Sequence, residues 1–341
     1  MGLLLGVLIF SFIVNAVAIV PFIDFLYQMR FFKKKSAISI EKTDEASSHI
    51  RSKSRTPEGG GLLILATTSL IFVFILPILK RLGFEITHVF EINQEINVIF
   101  FGFLSFGLLG LYDDVVKYFE LDREEGYTGL RTSHKFLIQV ALSLILGAMM
   151  YFNLGIDIIH IPFLGVIHFG PWFILISALI VILFTNSVNI TDGMDGLASG
   201  LLMICLFGFL LITTSILDVP LSIFIALWLG GLIAFLYFNV YPARLFLGDV
   251  GALSFGAALA IIGLLTGKIV ALLIVGFPFL VDGLSSLLQI FWVKVFKKRL
   301  FPIAPIHYWL LKIGWTEPKI VQRAWLIGIM FVVLGLWLAI I

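Results

Sequence analysis

Charged side chains are scarce in this sequence of 341 residues. Asp, Glu, Lys and Arg together make up 13% of it, against roughly a quarter in an ordinary globular domain. Hydrophobic residues account for 60%, and the mean hydropathy is +1.10. So little charge excludes a water-soluble globular protein and indicates a polytopic membrane protein.

Cysteine is nearly absent, and so is positive charge ahead of the first apolar run. The one cysteine, Cys205, lies inside an apolar stretch, which excludes a disulfide within the chain and predicts an inert buried thiol. No Lys or Arg precedes the run that begins at Leu3, whereas a basic block follows it at 30–35. This order lacks a signal-peptide cleavage pattern and predicts a retained first span with its N-terminus outside.

Long apolar runs are abundant. A helix needs roughly 20 apolar residues to cross a bilayer, and on that criterion we place ten spans. They cover residues 3–27, 61–79, 96–112, 135–153, 171–187, 197–216, 220–238, 251–267, 269–292 and 321–340. We therefore predict an all-α polytopic membrane protein of about ten transmembrane helices, forming a single domain over residues 1–341.

Lys and Arg are divided unevenly between the two ends of these spans. With the N-terminus outside, 20 of the 23 basic residues belong to the inner connections, and only Lys80, Arg81 and Lys268 belong to the outer ones. The positive-inside rule makes the richer face cytoplasmic. Because the number of spans is even, we expect the C-terminus outside as well.

The outer connections carry little chemistry. The stretch from Gly155 to Gly170 has β-type residues on both sides of a Pro/Gly break, which predicts a small external β-hairpin. His160 and His168 within it are expected to be interfacial rather than functional. Three tryptophans, Trp172, Trp228 and Trp337, are candidates for aromatic anchoring at the membrane interfaces.

The inner connections hold the polar groups. In the first of them, Lys53 precedes the glycines 59–61; a cation there can hold a phosphate, and glycines let a backbone approach a ligand closely. At the inner end of the third span, Asp113 and Asp114 are followed by Lys117 and later by Lys135. Paired Asp residues of this kind gather Mg²⁺ around a pyrophosphate or accept a proton.

A second polar group lies between two apolar runs at 184–198. It contains Asn186, Asn189, Asp192 and Asp195, and the two Asp residues share a face if the segment is helical. So polar a cluster at the mouth of two hydrophobic helices is costly unless a ligand fills it. We interpret it as one wall of a site for a phosphorylated ligand and a divalent metal.

The later inner connections add three candidates, Asn239, Asp249 and His307. Asp249 lies between two glycines directly before an apolar span, near a helix N-terminus that favours anions and places a carboxylate well as a metal ligand. Two polar residues, Asp282 and Gln289, lie within the ninth span. Asp282 needs an internal partner, which the sequence does not identify.

Five carboxylates, a His and several cations on one membrane face fit metal-assisted phosphoryl transfer, in which catalysis is mostly positioning and charge neutralisation. The acceptor would come from lipid and a nucleotide donor from the cytoplasm. A cation-coupled transporter is the alternative from another class. Transporters place ionisable groups near the bilayer midplane and show internal repeats, whereas here the Asp residues gather at one interface and we see no repeat.

The motifs resemble a known family. The stretches NSVNITDGMDGLA (186–198), YDDVVK (112–117), FNVYPARLFLGDVG (238–251) and APIH (304–307) together are similar to the polyprenyl-phosphate N-acetylhexosamine-1-phosphate transferases. KxxTPxxGG, which begins at Lys53, and GWTEPKIVQRAW (314–325) resemble its phospho-N-acetylmuramoyl-pentapeptide-transferase (MraY) branch. The resemblance runs from about residue 53 to 325.

The resemblance implies a reaction. Phospho-MurNAc-pentapeptide would pass from UDP-MurNAc-pentapeptide to undecaprenyl phosphate, giving lipid I and UMP for peptidoglycan synthesis, with Mg²⁺ as cofactor. It also implies a multi-pass protein of the bacterial inner membrane, a cytoplasmic active-site cleft, a bent ninth helix and a homodimer. Membrane lipid is an expected partner and nucleic acid is not.

Residue roles follow from the matching positions. The implied catalytic residues are Asp113, Asp114, Asp249 and His307. The implied substrate-binding residues are Lys53, Lys117, Lys135, Asn186, Asn189, Asp192, Asp195, Asn239 and Gln289. The implied metal ligands are Asp249, Asp192 and Asp113.

The sequence departs from the family pattern in three places. Tyr308 and Trp309 follow His307 where the family usually has two further His, a Glu common in the ninth helix is Asp282, and Glu58 interrupts the glycine motif. These changes leave the metal and phosphate residues in place. They leave open a UDP-GlcNAc or other UDP-HexNAc donor, and the sequence also leaves open a covalent phospho-enzyme on Asp249 instead of a single displacement.

Overall fold

The computed structural model describes residues 1–29, 31, 56–119 and 130–341. Lys53, expected to bind a phosphate, lies outside the described residues. Twelve helices occur in the described part of the chain. They are α1 (Gly2–Gln28), α2 (Gly60–Arg81), α3 (Ile92–Phe119), α4 (Thr132–Leu154), α5 (Trp172–Thr191), α6 (Leu197–Ser215), α7 (Val219–Asn239), α8 (Gly248–Leu265), α9 (Ile269–Val275), α10 (Phe277–Phe296), α11 (Ile306–Lys312) and α12 (Glu317–Ile340).

Ten of these helices are long and apolar enough to cross a membrane, all but α9 and α11. Each coincides with one of the ten predicted spans, so the predicted all-α polytopic fold is confirmed. The ninth span differs in detail, because the run predicted at 269–292 divides at Gly276 into α9 and α10. Pro278 at the start of α10 has no N–H to donate to the preceding turn, which favours a new helix start at this point.

The predicted β-hairpin is present. Strands β1 (Ile158–Ile161) and β2 (Gly165–His168) pair antiparallel, with Ile158 opposite His168. The His168 Nδ1 atom lies 3.2 Å from Asp157 Oδ2 on the exposed surface. Cys205 is buried and unpaired in α6, as predicted.

The interior is built around α7 and α8, which are nearly all buried. Helix α8 packs against α2, α3 and α5, whereas α7 packs against α1, α2 and α6. Trp228 of α7 is fully buried, and its ring centroid is 5.1 Å from that of Phe255 and 5.9 Å from that of Phe103. The prediction that Trp228 anchors at an interface is therefore wrong, because α7 is an inner helix whose face meets other aromatic rings. Trp172 and Trp337 are 68% and 54% exposed.

Candidate active site

The inner ends of α3, α4 and α8 bring four charged side chains into direct contact. Lys117 Nζ lies 2.9 Å from Asp113 Oδ2 and 2.8 Å from Asp249 Oδ2. Lys135 Nζ lies 2.9 Å from the same Asp113 oxygen and also contacts Asp249 Oδ2. We call Asp113, Lys117, Lys135 and Asp249 the inner charge cluster.

Burial makes the pairing within this cluster necessary. The Asp113 residue is 2% exposed, and a buried carboxylate without a cation beside it is strongly unfavourable. Asp113 Oδ1 also accepts a hydrogen bond from the Leu130 N–H at 2.8 Å. Asp113 and Asp249 therefore share the two ammonium groups of Lys117 and Lys135.

Asp114 has a different set of partners. Its Oδ1 accepts from the Asp249 N–H and its Oδ2 from the Val250 N–H, each at 3.2 Å. The first N–H groups of a helix have no partner within it, so Asp114 of α3 satisfies those of α8 from outside. This contact fixes the start of α8 against α3 and thereby places Asp249 beside Asp113.

Glycines allow these helices to approach. A Cβ atom on Gly110 of α3 would collide with the Asp249 carbonyl oxygen and lie 2.6 Å from Val250 Cα. A Cβ atom on Gly61 of α2 would likewise collide with the backbone of Gly251. At this end of the bundle α8 therefore meets both α2 and α3 backbone to backbone, which sets the position of the charged side chains.

The glycine run before α2 contacts protein backbone in this structure. The N–H groups of Gly59 and Gly60 donate to the Phe246 carbonyl oxygen at 3.1 and 2.8 Å, and Gly61 N–H donates to Leu247 at 2.9 Å. Gly59 has φ of 121°, a conformation that favours glycine. The run was expected to approach a ligand, whereas here it ties α2 to the segment that leads into α8.

Asn239 and Asp195 hold the turn between α5 and α6 against the segment after α7. Asn239 Oδ1 accepts from the Ser199 hydroxyl at 2.6 Å and from the Gly196 N–H at 3.2 Å, while its Nδ2 donates to Leu245 at 2.8 Å. Asp195 Oδ2 accepts from the Ala243 N–H at 2.9 Å. Both residues were predicted to bind substrate, and their contacts here support the loops that surround the site.

Asn239→Ala is expected to lower the free energy of unfolding by about 1 to 3 kcal/mol, because it leaves buried partners without hydrogen bonds. The residue is 1% exposed, so water cannot replace those bonds in place. Thermal unfolding of the detergent-solubilised protein measures the effect. Asn153→Ala is the matched control, since Asn153 is exposed and its side chain donates to Gln94 Oε1 at 3.2 Å. Equal melting temperatures for the two variants would contradict the bracing role.

The remaining polar residues of 184–198 lie at the inner end of α5. Asn186 Nδ2 donates to Gln139 Oε1 of α4 at 2.9 Å. Asn189 is half-buried one turn further along, and Asp192 is the half-buried residue at which α5 ends. These positions lie at the same end of the bundle as the inner charge cluster.

Asp282 and His307 form a buried pair. His307 Nδ1 lies 2.8 Å from Asp282 Oδ2, and the His307 backbone N–H donates to Asp282 Oδ1 at 3.3 Å. The internal partner that Asp282 requires is thus His307. Gln289 was predicted to bind substrate. Its side-chain oxygen accepts from the N–H groups of Leu300 and Phe301 at 3.1 and 2.8 Å, which holds the segment after α10 against that helix.

The predicted metal ligands are only partly assembled. Asp113 and Asp249 meet through the two shared lysines. Within the described part of the chain, no group of three or more His, Cys, Asp or Glu side chains is arranged to hold a metal ion. A metal at this site would therefore need oxygen ligands from a substrate as well.

Sequence reasoning missed a buried acid that contacts the turn after α5. Glu317, at the start of α12, is 1% exposed, and its Oε1 accepts from the Asp195 N–H at 2.7 Å. The signal available was its place in the 314–325 motif beside the first apolar residues of the last span. That pattern marks a helix start and does not reveal a partner 122 positions away.

The fold and the site define a class, a polytopic membrane protein with a buried carboxylate and lysine cluster at one face. Residues 96–267 match the family model described as Glycosyl transferase family 4. The phospho-N-acetylmuramoyl-pentapeptide-transferase of Caldanaerobacter subterraneus is 33% identical over 307 residues, which are 90% of this chain and 89% of that protein. The enzyme of that name from Clostridium acetobutylicum is 31% identical over 324 residues, 94% of each chain.

A third protein of the same name, from Desulforudis audaxviator, is 31% identical over 338 residues, which are 96% of this chain and 95% of its own length. Similarity of this extent covers nearly the whole chain. The chain belongs to the phospho-N-acetylmuramoyl-pentapeptide-transferase family. Neither the UDP-HexNAc donor nor the transporter alternative is favoured by these relatives.

Proposed function

We propose that this chain transfers phospho-MurNAc-pentapeptide from UDP-MurNAc-pentapeptide to undecaprenyl phosphate and releases lipid I and UMP. The observation that carries the proposal is the inner charge cluster, because its cations and carboxylates are the groups that phosphoryl transfer needs. Relatives named for this activity match the chain over nearly its whole length.

We place the active site at the cytoplasmic face of a bacterial inner membrane, with both termini outside. An even number of spans, ten among the described residues, supports termini on the same side. The distribution of Lys and Arg along the sequence supports the orientation, because the ten-span topology assigns 20 of the 23 to the connections predicted to be cytoplasmic. A soluble nucleotide donor reaches that face directly, and the lipid acceptor reaches it from the inner leaflet.

The reaction is a single displacement. An oxygen of the lipid phosphate forms a bond to the sugar-linked phosphorus, the bond from that phosphorus to the bridging oxygen breaks, and UMP leaves with that oxygen. Asp113 orients the lipid phosphate or takes its proton. Lys117 and Lys135, which neutralise the carboxylates in the absence of substrate, are placed to bind phosphate oxygens when substrate enters.

The carboxylates of the inner charge cluster are suitable ligands for Mg²⁺. This ion is usually held by one or two carboxylates together with substrate phosphates and waters, and Asp113 and Asp249 supply two carboxylates that share the same ammonium groups. Bound there, Mg²⁺ would neutralise the donor pyrophosphate. Asp249 and Asp113 are the residues that would hold it, and Asp192 is the further candidate.

The test is an assay of the detergent-solubilised protein with undecaprenyl phosphate and Mg²⁺. We expect lipid I and UMP from UDP-MurNAc-pentapeptide, little UMP from UDP-GlcNAc, and loss of both products when EDTA removes the metal. UMP release without the lipid acceptor, together with ping-pong kinetics, would contradict the single displacement. Product formed with UDP-GlcNAc but not with UDP-MurNAc-pentapeptide would overturn the proposed donor.

The homodimer implied by the family remains a proposal. Helices α1 and α12 carry many exposed apolar side chains, among them Val17 at 72% and Met330 at 67%, but lipid also covers such faces. Light scattering with correction for bound detergent measures the mass directly.

A further inference from the structure

Asp282 and His307 contact each other through both carboxylate oxygens of Asp282. Asp282 lies in the second turn of α10 and His307 at the start of α11, and they are 7% and 2% exposed. One carboxylate oxygen receives the His307 backbone N–H and the other contacts Nδ1. Because a carboxylate accepts hydrogen bonds, the hydrogen of the ring lies on Nδ1.

The other ring nitrogen is left without a partner. Nε2 of His307 is buried and makes no hydrogen bond within the described part of the chain. It faces Gly193, on which a Cβ atom would lie 2.8 Å from Nε2. The Tyr308 hydroxyl donates to the Gly193 carbonyl oxygen at a long 3.4 Å. This nitrogen therefore packs directly against Gly193, the first residue of the turn that follows Asp192.

A buried nitrogen without a partner is uncommon in native proteins and calls for a reason. Packing alone does not supply one, since an apolar ring of similar size would avoid the cost of removing Nε2 from water. The pair also lies in the wall of a cavity of about 420 Å³ whose other lining residues include Leu197, Phe277 and Ile306. An apolar lining on that side strengthens the hydrogen bond between the ring and Asp282.

We infer that Asp282 is a positioning residue for His307. It fixes the imidazole ring so that Nε2 faces the Asp192–Gly193 turn and is available to bind the nucleotide-sugar donor. The inference rests on the proposed function and deepens it. A carboxylate or carbonyl behind a histidine commonly sets its tautomer and orientation in this way. Neither contact of Asp282 involves the inner charge cluster, so its effect on catalysis passes through His307.

The test compares Asp282→Asn, Asp282→Glu, His307→Gln and the double variant Asp282→Asn/His307→Gln. We expect Asp282→Asn to lower kcat by roughly 10- to 100-fold, as loss of an orienting partner does elsewhere, with a smaller change in KM. Asp282→Glu keeps the carboxylate and is expected to recover most of kcat. Ser285→Ala is the control, because the Ser285 hydroxyl donates to the Asp282 backbone oxygen, at 2.8 Å, and not to the side-chain atoms that join Asp282 to His307.

The double variant gives the decisive result. If Asp282 acts through His307, then kcat/KM of the double variant equals that of His307→Gln, because losses within one unit are not additive. The inference would be overturned if Asp282→Asn lowered kcat/KM by the same factor in the unaltered protein and in His307→Gln. It would also be overturned if Asp282→Glu kept the melting temperature of the unaltered protein and were no more active than Asp282→Asn. Absence of product from the unaltered protein would instead overturn the proposed function, and this inference with it.

Discussion

Asp249→Asn is expected to lower the rate of lipid I formation by about 10²- to 10³-fold, the usual effect of removing one preorganised charged or polar group from a transition state. The Asp249 Oδ2 atom contacts both Lys117 and Lys135. A neutral amide cannot hold both ammonium groups in place, and it also removes one of the two carboxylates proposed to hold Mg²⁺. Initial rates with saturating donor and acceptor measure the loss.

Asp157→Asn is the matched control for Asp249→Asn. Asp157 also faces a basic side chain, His168 at 3.2 Å, but it is only half-buried and lies directly before strand β1. We expect its activity to equal that of the unaltered protein. If Asp249→Asn keeps the size-exclusion profile of the unaltered protein and more than about a tenth of its rate, a barrier change below about 1.4 kcal/mol, Asp249 is not central to the reaction.

The fold was predictable because the signal for a membrane span is strong and local. Ten apolar runs predicted ten helices, and a Pro/Gly break predicted the hairpin. The count of spans also predicted that Asp113, Lys117 and Asp249 lie at one membrane face, although it did not predict the contacts between them.

The particular partner that each polar residue contacts was not predictable from the sequence. Asp113 and Asp114 are neighbours in sequence, yet one binds two lysines and the other the N-terminus of α8. Which of them turns inward depends on how α3 and α8 cross, and one sequence does not specify that angle. The same holds for Gln289 and Asn239, whose amides resemble ligand-binding groups in sequence and bind backbone in the structure.

Trp228 and Asp282 show the same limit inside the membrane. Composition distinguishes apolar helices from polar loops but does not distinguish a lipid-facing helix from an enclosed one. Helix α7 is as apolar as its neighbours, and Trp228 is buried because its ring meets Phe103 of α3 and Phe255 of α8. Likewise, Asp282 signals a partner, and the partner is supplied by α11, 25 residues later.

Gly110→Ala is expected to disable the enzyme although residue 110 carries no chemistry. The added Cβ atom would meet the carbonyl carbon and oxygen of Asp249 and Val250 Cα, which are backbone atoms of α8 and cannot rotate away. Helices α3 and α8 would have to separate, which lengthens the hydrogen bonds from the α8 N-terminus to Asp114. Overpacking of this kind costs about 1 to 3 kcal/mol, and a small displacement of reacting groups costs on the order of 10²-fold in rate.

Gly6→Ala makes the same chemical change where nothing lies within 4 Å of the new atom. In this exposed helical position Ala is favoured over Gly by about 1 kcal/mol, so the control should be at least as stable as the unaltered protein and equally active. Melting temperature and lipid I formation are measured for both variants. Full activity of Gly110→Ala would mean that the inner ends of α3 and α8 need not touch, and Asp114 would then lose its role in placing Asp249.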